Sequence, residues 1–396
     1  MALQMLRTAK NSCSLSRLFS AFSLTFALDG RGKGEGEGHF LIAIVISVFL
    51  IASGFTYHLA LPGRKLSFPA DHYSHPDFKT EWWYYTGHLE TESGKRYGYQ
   101  VTFFRFGLRD RQKQIEGEKP LFTELYMAHF AVSDIGTKTF FFRERINRGY
   151  GDKAGAATDR YLVWNEDWRV EGDERNHSIR VQDRGTKLWL KLRSLKPPVL
   201  HGQNGLSQKG AGEGRASYYY SLTRMETQGE IEIDGKKEKV QGLSWMDHEV
   251  GSNQLSPDQV GWDWFSIQLD NQTELMLYLI RRKDGSPDPY SSGTLVRADG
   301  TTKHLALKDF RIEVLERWKS VKSGANYPMK WKVMIPAYGV ELEIEPEFPD
   351  QELITSRSTR VTYWEGAARI NGTIRDKVIT GLGYVEMTGY AGKLTL

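Results

Sequence analysis

The chain has 396 residues, of which 40% are hydrophobic and 26% charged, an ordinary balance for a globular protein with room for two domains. Its formal net charge of +4 is small for this length, and no basic stripe interleaved with aromatic residues is present, which argues against a nucleic-acid-binding protein. The single cysteine, Cys13, lies near the N terminus. An intrachain disulfide is therefore impossible, and no thiolate nucleophile or cysteine metal site is expected in the folded part.

The N-terminal sequence predicts a segment that is separate from the folded part. Residues 1–38 include an alternation of glycine and charge and predict a disordered leader. Residues 39–62 contain an almost purely apolar run that, with its flanks, reaches roughly 20 residues, the length needed to cross a bilayer. This run is either the core of a signal peptide or an uncleaved transmembrane anchor with the N terminus inside. Either alternative predicts an exported protein, periplasmic or otherwise extracytoplasmic, that meets the membrane through this segment.

From residue 63 onwards, short apolar and aromatic strands recur at intervals near ten residues, with Gly, Asp and Asn between them. This spacing predicts an all-β, antiparallel sandwich or barrel. A cluster of Ser, Asn, Pro and Asp near residues 251–260 predicts a boundary between an N-terminal domain, 63–250, and a C-terminal domain, 251–396. A faint internal repeat relates Trp83–Leu89 to Trp264–Leu269 and indicates two related barrels in tandem.

The stretch Glu81–Leu89, E-W-W-Y-Y-T-G-H-L, predicts a strand with an aromatic layer on each face. Because side chains alternate along a strand, Trp82 and His88 share one face, and Trp83 and Tyr85 share the other. One face is expected to pack on protein and the other could line a cavity, although a plain core strand fits equally well. Burial of Glu81 against this aromatic surface would raise its pKa and make it an acid, whereas a solvated strand end would leave it ordinary.

A second dense stretch, W-M-D-H-E at Trp245–Glu249, places a histidine between two carboxylates. The neighbouring negative charges are expected to raise the pKa of His248, which suits a proton donor or relay near neutral pH. In a strand, however, Asp247 would point away from His248, so direct pairing needs a bulge. A solvated turn is the alternative.

The remaining histidines give a weaker signal. His88 and His129 lie on predicted strands, where a hydrogen-bonded core histidine is commoner than a ligand, and His72 and His75 flank a turn and are expected at the surface. No close pair of histidines has metal-ligand spacing. A P-loop, a dinucleotide fingerprint and a nucleophile elbow are also missing from the sequence. Neither a metal nor a cofactor is therefore predicted.

Four sequence blocks resemble the AttH-like/carotenoid 1,2-hydratase family, whose members are often described as predicted secreted hydrolases. The blocks are F-P-A-D-H at 68–72, E-W-W-Y-Y-T-G-H-L at 81–89, G-L-S-W-M-D-H-E at 242–249 and G-W-D-W-F at 261–265. The resemblance runs over roughly residues 65–396. It implies two tandem lipocalin-like antiparallel β-barrels with a hydrophobic ligand site near their interface.

Catalysis in the family's hydratases is attributed to a histidine, a tryptophan, a tyrosine and an aspartate. His248 matches the histidine, and Tyr278 matches the tyrosine. Val250 and Ile280 stand where the tryptophan and the acid are expected, so two of the four family positions differ, which argues against carotenoid hydration itself. Asp263, between two tryptophans, is a spare candidate for the missing carboxylate.

The resemblance implies an exported enzyme that hydrates or hydrolyses an apolar isoprenoid or lipid-like substrate by acid–base chemistry, without metal or cofactor. The acid is sought among Glu81, Asp247 and His248. Aromatic faces could stabilise a cationic intermediate by roughly 0.5–2 kcal/mol each. The predicted ligand-binding side chains are Trp82, Trp83, Tyr85, His88, His129, Trp245, Trp262 and Trp264.

A non-catalytic carrier for a hydrophobic ligand at the cell envelope is the alternative function. Convergence of Asp247, His248 and a second carboxyl group on one cavity would favour the enzyme. Pairing of these groups in salt bridges around a purely aromatic cavity would favour the carrier.

Overall fold

The computed structural model describes residues 57–108, 123–253 and 255–392. The regular secondary structure of these residues is nearly all β-strand, which confirms the all-β class. The predicted leader, 1–38, and most of the predicted apolar segment, 39–62, lie outside the described residues, so both stay predictions. Within the described ranges, no helix has the length and apolar character to cross a bilayer.

The first sheet contains thirteen of the strands found in the described residues, and all of its pairings are antiparallel. Its strands are β1 (Thr80–Thr91), β2 (Arg96–Gly107), β3 (Glu124–Asp134), β4 (Thr139–Arg148), β5 (Ala154–Ala156), β6 (Tyr161–Asn165), β7 (Trp168–Gly172), β8 (Asn176–Asp183), β9 (Thr186–Ser194), β10 (Val199–Leu200), β11 (Leu206–Gln208), β12 (Ala216–Ile233) and β13 (Lys236–Gly251). A short 3₁₀ turn at Ala70–His72 precedes it.

The second sheet contains ten of the described strands and is also antiparallel. Its strands are β14 (Gln259–Leu269), β15 (Glu274–Arg282), β16 (Ser292–Val296), β17 (Thr302–Ala306), β18 (Arg311–Lys319), β19 (Asn326–Ile335), β20 (Val340–Pro346), β21 (Glu352–Ile354), β22 (Thr362–Ile374) and β23 (Lys377–Met387). Two 3₁₀ turns, Leu307–Asp309 and Pro336–Tyr338, join its strands.

Both sheets curl in the same way around their first strand. In the first sheet β1 pairs with β2 on one side and with the last strand, β13, on the other. In the second sheet β14 likewise pairs with β15 and with the last strand, β23. A first strand that lies between the second and the last closes a meander towards a barrel. The tandem lipocalin-like barrels are confirmed; the first sheet ends at Gly251 and the second begins at Gln259.

Side-chain alternation decides what faces each barrel core. Trp83 and Tyr85 point into the core of the first barrel, so Trp82 and Tyr84 point outwards. In the second barrel Phe265 belongs to the inner core, while Trp264 points outwards. The outward aromatic residues of the two first strands meet in one cluster between the barrels.

A buried ion pair and a histidine hydrogen bond fix one barrel against the other. Glu274 of the second barrel contacts Lys196 at 2.6 Å and Arg224 at 2.5 Å, both from the first. His88 lies within 2.9 Å of the carbonyl oxygen of Gly383 through its Nε2. Since a buried charge that loses its partner is strongly destabilising, these contacts favour a single arrangement of the barrels.

Candidate active site

A cavity of about 650 Å³ lies between the two barrels. Side chains from the first strand of each sheet line it, together with residues of β2, β3, β22 and β23. Exposed residues such as Lys79, Leu108 and Asn253 border it, whereas Gln100 and His129 are buried. Its aromatic lining consists of Trp82, Tyr84, Phe104, Phe106, Tyr219, Trp262, Trp264, Tyr278 and Tyr363. This is the size and the mainly apolar character of a small-molecule site.

Asp247 on β13 points into this cavity and is held by three donors. Its Oδ1 accepts hydrogen bonds from Ser221 and from the indole of Trp245, the latter at 2.6 Å. Its Oδ2 accepts one from Tyr219 at 2.6 Å. Burial raises the pKa of Asp247 from 3.8 to about 7, although these hydrogen bonds act in the opposite direction.

Two further carboxyl groups line the same cavity: Glu365 on β22, which is buried, and Glu386 on β23, which is partly buried. They are direct cross-strand partners, and two like charges at opposed positions repel. Burial, with the nearby charges of Asp247 and Glu249, raises the pKa of Glu386 to about 7. Burial and the charge of Glu386 raise the pKa of Glu365 well above its usual range.

Hydrogen bonding distinguishes these two glutamates from Asp247. Glu386 accepts one long hydrogen bond, 3.3 Å, from Trp262. The Oε1 atom of Glu365 and the hydroxyl of Tyr84 make no hydrogen bond of normal length and angle among the described residues, although Tyr84 is close enough to lower the pKa of Glu365 slightly against burial. Hydrogen-bond donors stabilise a carboxylate in its ionised form. Asp247 is therefore the carboxylate best supported in its charged form, and the glutamates are better suited to keep a proton.

The fourth carboxylate of the cavity is neutralised by a lysine. Lys209 lies 3.3 Å from Glu249, and its Nζ lies 4.2 Å from the ring centre of Tyr278. Burial alone would lower the pKa of Lys209, but the charge and hydrogen bond of Glu249, together with the charges of Tyr278 and Asp247, raise it. The hydroxyl of Tyr278 is 3.0 Å from the hydroxyl of Ser207. The predicted tyrosine therefore does line the cavity, next to a fixed positive charge.

His248 does not meet Asp247, because adjacent residues of a strand face opposite sides. It lies inside the first barrel, stacked on Trp83 with ring centres 4.9 Å apart. Its Nε2 is 2.9 Å from Glu81, and its Nδ1 is 2.9 Å from the hydroxyl of Tyr220. The predicted increase in the pKa of His248 is wrong: burial lowers the pKa, and the hydrogen bond with Glu81 opposes burial without overcoming it.

Glu81 is a charged structural group and not the expected acid. Burial would raise its pKa, but the charge of His75, the hydrogen bonds from His248 and His75, and the charge of Arg105 hold the pKa well below its usual range. Arg105 contacts Glu81 at 2.9 Å, and both side chains are fully buried. The expectation of a raised pKa for Glu81 is therefore wrong.

His72 and His75 belong to this internal network, so the prediction that they lie at the surface is wrong. His72 is fully buried, with its Nδ1 2.6 Å from Tyr220. His75 lies between Asp71, at 3.0 Å, and Glu81, at 2.7 Å. The loop that the sequence places at the surface covers polar groups inside the barrel.

One group of side chains in the described part of the chain has metal-ligand geometry: His75, Glu81 and His248, with ligand atoms within 4.8 Å of one another. The Glu81 carboxylate is already neutralised by Arg105 at 2.9 Å. A metal ion there would face this fixed positive charge, so the donor set fits a metal poorly.

The other predicted ligand-binding residues divide between the cavity and the protein interior. Trp82, His129, Trp262 and Trp264 line the cavity. His129 is held at 2.7 Å by Tyr363 and at 2.8 Å by Ser358, and burial lowers its pKa to about 3.

Four residues predicted to line the site are placed elsewhere. Trp83 and Tyr85 face the first barrel's core, where Tyr85 contacts Tyr161 and His177. His88 is outside the cavity lining and contacts a backbone carbonyl, and Trp245 lies behind Asp247 as a hydrogen-bond donor.

Asp263, the spare candidate for the missing carboxylate, is also outside the cavity lining. It pairs with Arg281 at 3.0 Å and accepts a hydrogen bond from Tyr390 at 3.0 Å. Two acids that the sequence analysis did not single out, Glu365 and Glu386, line the cavity instead. Each is an isolated acid within an aromatic and apolar strand, W-E-G-A-A and Y-V-E-M, and this pattern could have identified them.

The geometry combines proton-bearing carboxyl groups, a hydrogen-bonded carboxylate and aromatic walls around one apolar cavity. Carboxyl groups with a pKa near the working pH can both donate and accept protons. Aromatic faces stabilise a neighbouring cation. This arrangement suits proton transfer to and from an apolar molecule.

The comparisons with known proteins agree with this architecture. The AttH-like family model matches residues 59–390. A solved AttH structure from Nitrosomonas europaea is 34% identical, with a TM-score of 0.75, and covers 84% of this chain and 99% of its own. Kievitone hydratase from Nectria haematococca shares the fold, with a TM-score of 0.63 at 15% identity, over 86% of this chain and 97% of its own.

Two curated relatives are similar over shorter stretches. Kievitone hydratase from Fusarium solani subsp. phaseoli is 22% identical over 191 residues, 46% of this chain and 53% of the relative. The dehydratase asqC from Emericella nidulans is 21% identical over 223 residues, 53% of this chain and 61% of the relative. These matches therefore span little more than half of each relative. The family match and the Nitrosomonas structure cover most of the chain, which thus belongs to the AttH-like family.

Proposed function

We propose that this protein is a hydratase-type enzyme that adds water to an alkene of an apolar, isoprenoid- or lipid-like substrate, or removes water from the corresponding alcohol. The observation that carries the proposal is the group of three carboxyls, Asp247, Glu365 and the partly buried Glu386, on one aromatic cavity. Asp247 and Glu386 each have a pKa of about 7. Similarity to a kievitone hydratase and to a dehydratase supports the same reaction class.

The proposed reaction begins with proton transfer to carbon. Protonated Glu386 gives its proton to one alkene carbon, and the electron pair of the double bond forms the new C–H bond. The adjacent carbon becomes a cation beside Trp262 and Trp264, which line the cavity next to Glu386. Carbon is a weak proton acceptor, so the step needs a carboxyl group that still holds its proton near neutral pH, and the raised pKa of Glu386 meets this need.

Water then completes the reaction. A water molecule attacks the cation, and ionised Asp247 accepts one of its protons, which leaves an alcohol. The turnover leaves Asp247 protonated and Glu386 ionised, and the sum of the steps is alkene plus water giving alcohol. Because both groups have a pKa of about 7, return of the proton from Asp247 to Glu386 is close to balanced.

The cavity also supports the choice of enzyme over carrier. His248 does not reach the cavity, but Asp247 is joined there by Glu365 and Glu386, which form no ion pair among the described residues. A carrier for a neutral apolar ligand has no need of acids whose burial is costly. A carrier function is the outcome if the protein binds such ligands without converting them.

The test uses the sesquiterpene alcohol nerolidol and farnesene, the hydrocarbon left when water is removed from it. Full-length protein is incubated with each in ¹⁸O-labelled water, and the products are analysed by mass spectrometry. The proposal predicts labelled alcohol from the alkene or alkene from the alcohol, with a loss of about 100-fold or more in Asp247→Asn and Glu386→Gln. Asp159→Asn, on the exposed surface, is the control. Binding of both compounds without conversion would identify a carrier, and absence of binding would refute both functions for this ligand class.

We further propose that the protein works outside the cytoplasm and that the apolar run within residues 39–62 directs its export. The support is the composition of that run and the positive charges before it. Fractionation of cells that express the tagged full chain is the test. Recovery in the periplasm or membrane is expected, and recovery in the cytoplasm alone would contradict export.

A further inference from the structure

Behind Asp247, a chain of buried hydrogen bonds runs away from the cavity into the second barrel. Ser221 on β12 donates to Oδ1 of Asp247. The Nε2 atom of His201 lies 2.6 Å from the Ser221 hydroxyl, and its Nδ1 atom lies 2.9 Å from the hydroxyl of Thr294 on β16. None of these four residues is more than 4% exposed. Bulk water therefore does not replace any link of this chain.

The direction of each hydrogen bond follows from the state of Asp247. When Asp247 is ionised, Ser221 donates to it, so the serine oxygen can accept only from a protonated Nε2 of His201. The Nδ1 atom is then the acceptor for Thr294, since a neutral imidazole carries one N–H. When Asp247 is protonated, Tyr219 already accepts from Trp264, so it keeps donating to Oδ2, and the proton of Asp247 belongs on Oδ1. Protonated Oδ1 donates to Ser221, and Ser221 donates to an Nε2 without a proton. His201 then carries its proton on Nδ1.

We propose that His201 is a positioning residue for the reaction assigned above, and that its tautomer changes together with the proton on Asp247. Through Ser221 it presents a donor to the ionised carboxylate and an acceptor to the protonated acid. Both states of Asp247 thus keep a complete set of hydrogen bonds. This inference rests on the proposed function only for its catalytic meaning, because the coupling itself is a property of the free protein.

The surroundings keep His201 neutral during this change. Burial, together with the charge of Lys209, holds the pKa of His201 well below its usual range. The ionisable groups that face Asp247 are Tyr84, Tyr219, Glu249, Glu386 and Lys209, and Tyr220 interacts with it only electrostatically, from inside the first barrel. Those that face His201 are Tyr219, Lys209 and His304. A change of tautomer without a change of charge is therefore the expected response of His201 near neutral pH.

The experiment is an NMR titration of the full chain labelled with ¹⁵N in histidine and ¹³C in the Asp carboxyl groups, from about pH 5.5 to about pH 8.5. We expect the chemical shifts of the two ring nitrogens of His201 to swap between protonated and unprotonated values as pH rises. The midpoint of this change should equal the midpoint of the Asp247 carboxyl titration, near pH 7. His177 is the matched control, because its Nε2 lies 3.1 Å from the backbone carbonyl of Asp173, an acceptor at every pH. The His201 ring signals are identified as those that are missing from the spectrum of His201→Gln.

The outcomes separate the coupling from the proposed function. If Asp247 titrates near pH 7 while the His201 shifts stay fixed, the coupling is refuted and the carboxyl chemistry stands. If Asp247 is ionised throughout the range, the coupling near neutral pH is refuted, while the role of Asp247 as proton acceptor stands and is tested separately by the turnover assay. In Ser221→Ala the His201 shifts should no longer follow Asp247, and a response that persists in this variant would also refute the coupling.

Discussion

Replacement of Asp247 by asparagine should change how the stability of the protein depends on pH. Native Asp247 keeps its proton up to a pKa of about 7, whereas the unfolded chain releases it near 3.8. Between these values the native state binds more protons, so the free energy of unfolding falls as pH rises. The Asp247→Asn variant has no carboxyl to ionise at this position, so its free energy of unfolding should not show the decrease with pH that Asp247 causes.

The size of the effect follows from the shift. One pKa unit corresponds to about 1.4 kcal/mol, and the interval from about pH 5 to about pH 7 covers about two units, or about 3 kcal/mol. The stability of Asp247→Asn minus that of the natural protein should therefore rise by about this amount between pH 5 and pH 8.5. The loss of the charge also lowers the cost of ionising Glu386, which adds in the same direction.

Urea denaturation, monitored by tryptophan fluorescence at several pH values, measures this difference. The Asp247→Asn substitution also disturbs the hydrogen bond from Tyr219, but that cost is the same at each pH and cancels from the slope. Asp159→Asn, at an exposed position, should run parallel to the natural protein. Parallel curves for Asp247→Asn would mean that Asp247 is ionised at pH 5, and the raised pKa that supports its role would be refuted.

Three further predictions concern activity, stability and binding. Turnover should fall as pH rises through about 7, because the donor form of Glu386 is lost, and Glu386→Gln should remove this dependence together with most of the activity; an unchanged profile in that variant would place the acid elsewhere. Glu81→Gln should lower the free energy of unfolding by about 3–5 kcal/mol, since it leaves Arg105 buried without its nearest counter-charge, and a loss below about 1 kcal/mol in urea denaturation would contradict this role. Trp262→Ala should weaken nerolidol binding about tenfold in fluorescence titrations while Trp189→Ala, at an exposed site, leaves it unchanged; equal affinities would contradict a ligand site in the cavity.

Local patterns predicted much of the fold and part of the site. Strand spacing and the recurrence of Trp83–Leu89 at Trp264–Leu269 indicated tandem barrels, and β1 and β14 do hold equivalent places in their sheets. The repeat that aligns Trp83 with Trp264 is nevertheless one residue out of phase with the side-chain alternation of the two strands. Trp83 faces a barrel core, whereas Trp264 faces the cavity like Trp82 and Tyr84. A shift of one residue reverses the face of a strand, and sequence similarity alone does not detect it.

The W-M-D-H-E stretch likewise does not reveal from sequence which face of its strand borders the cavity. Its period of two separates Asp247 from His248, but the pattern does not state which face borders the cavity. Both faces of β13 are buried, so polarity gives no indication. The histidine that seemed most reactive lies in a charged network inside the barrel, and the aspartate beside it faces the ligand cavity.

Glu365 and Glu386 could not be placed beside Asp247 from the sequence. They are more than 100 residues away along the chain and reach the cavity because β23, the last strand, pairs with β14 and brings β22 with it. The increase in the pKa of Glu386 depends on burial and on charges supplied by the other barrel. Such long-range contacts follow from topology and are invisible to local periodicity.

The most direct test of the account is whether the natural protein keeps protonated carboxyl groups at neutral pH. Infrared difference spectra between about pH 5 and about pH 9 separate protonated from ionised carboxyls, and solvent-exposed Asp and Glu are fully ionised at pH 7. We predict a protonated carboxyl band that persists at pH 7, decreases in Asp247→Asn and Glu386→Gln, and loses its most alkaline component in Glu365→Gln. A spectrum without that band at pH 7 would contradict a cavity built around proton-bearing acids.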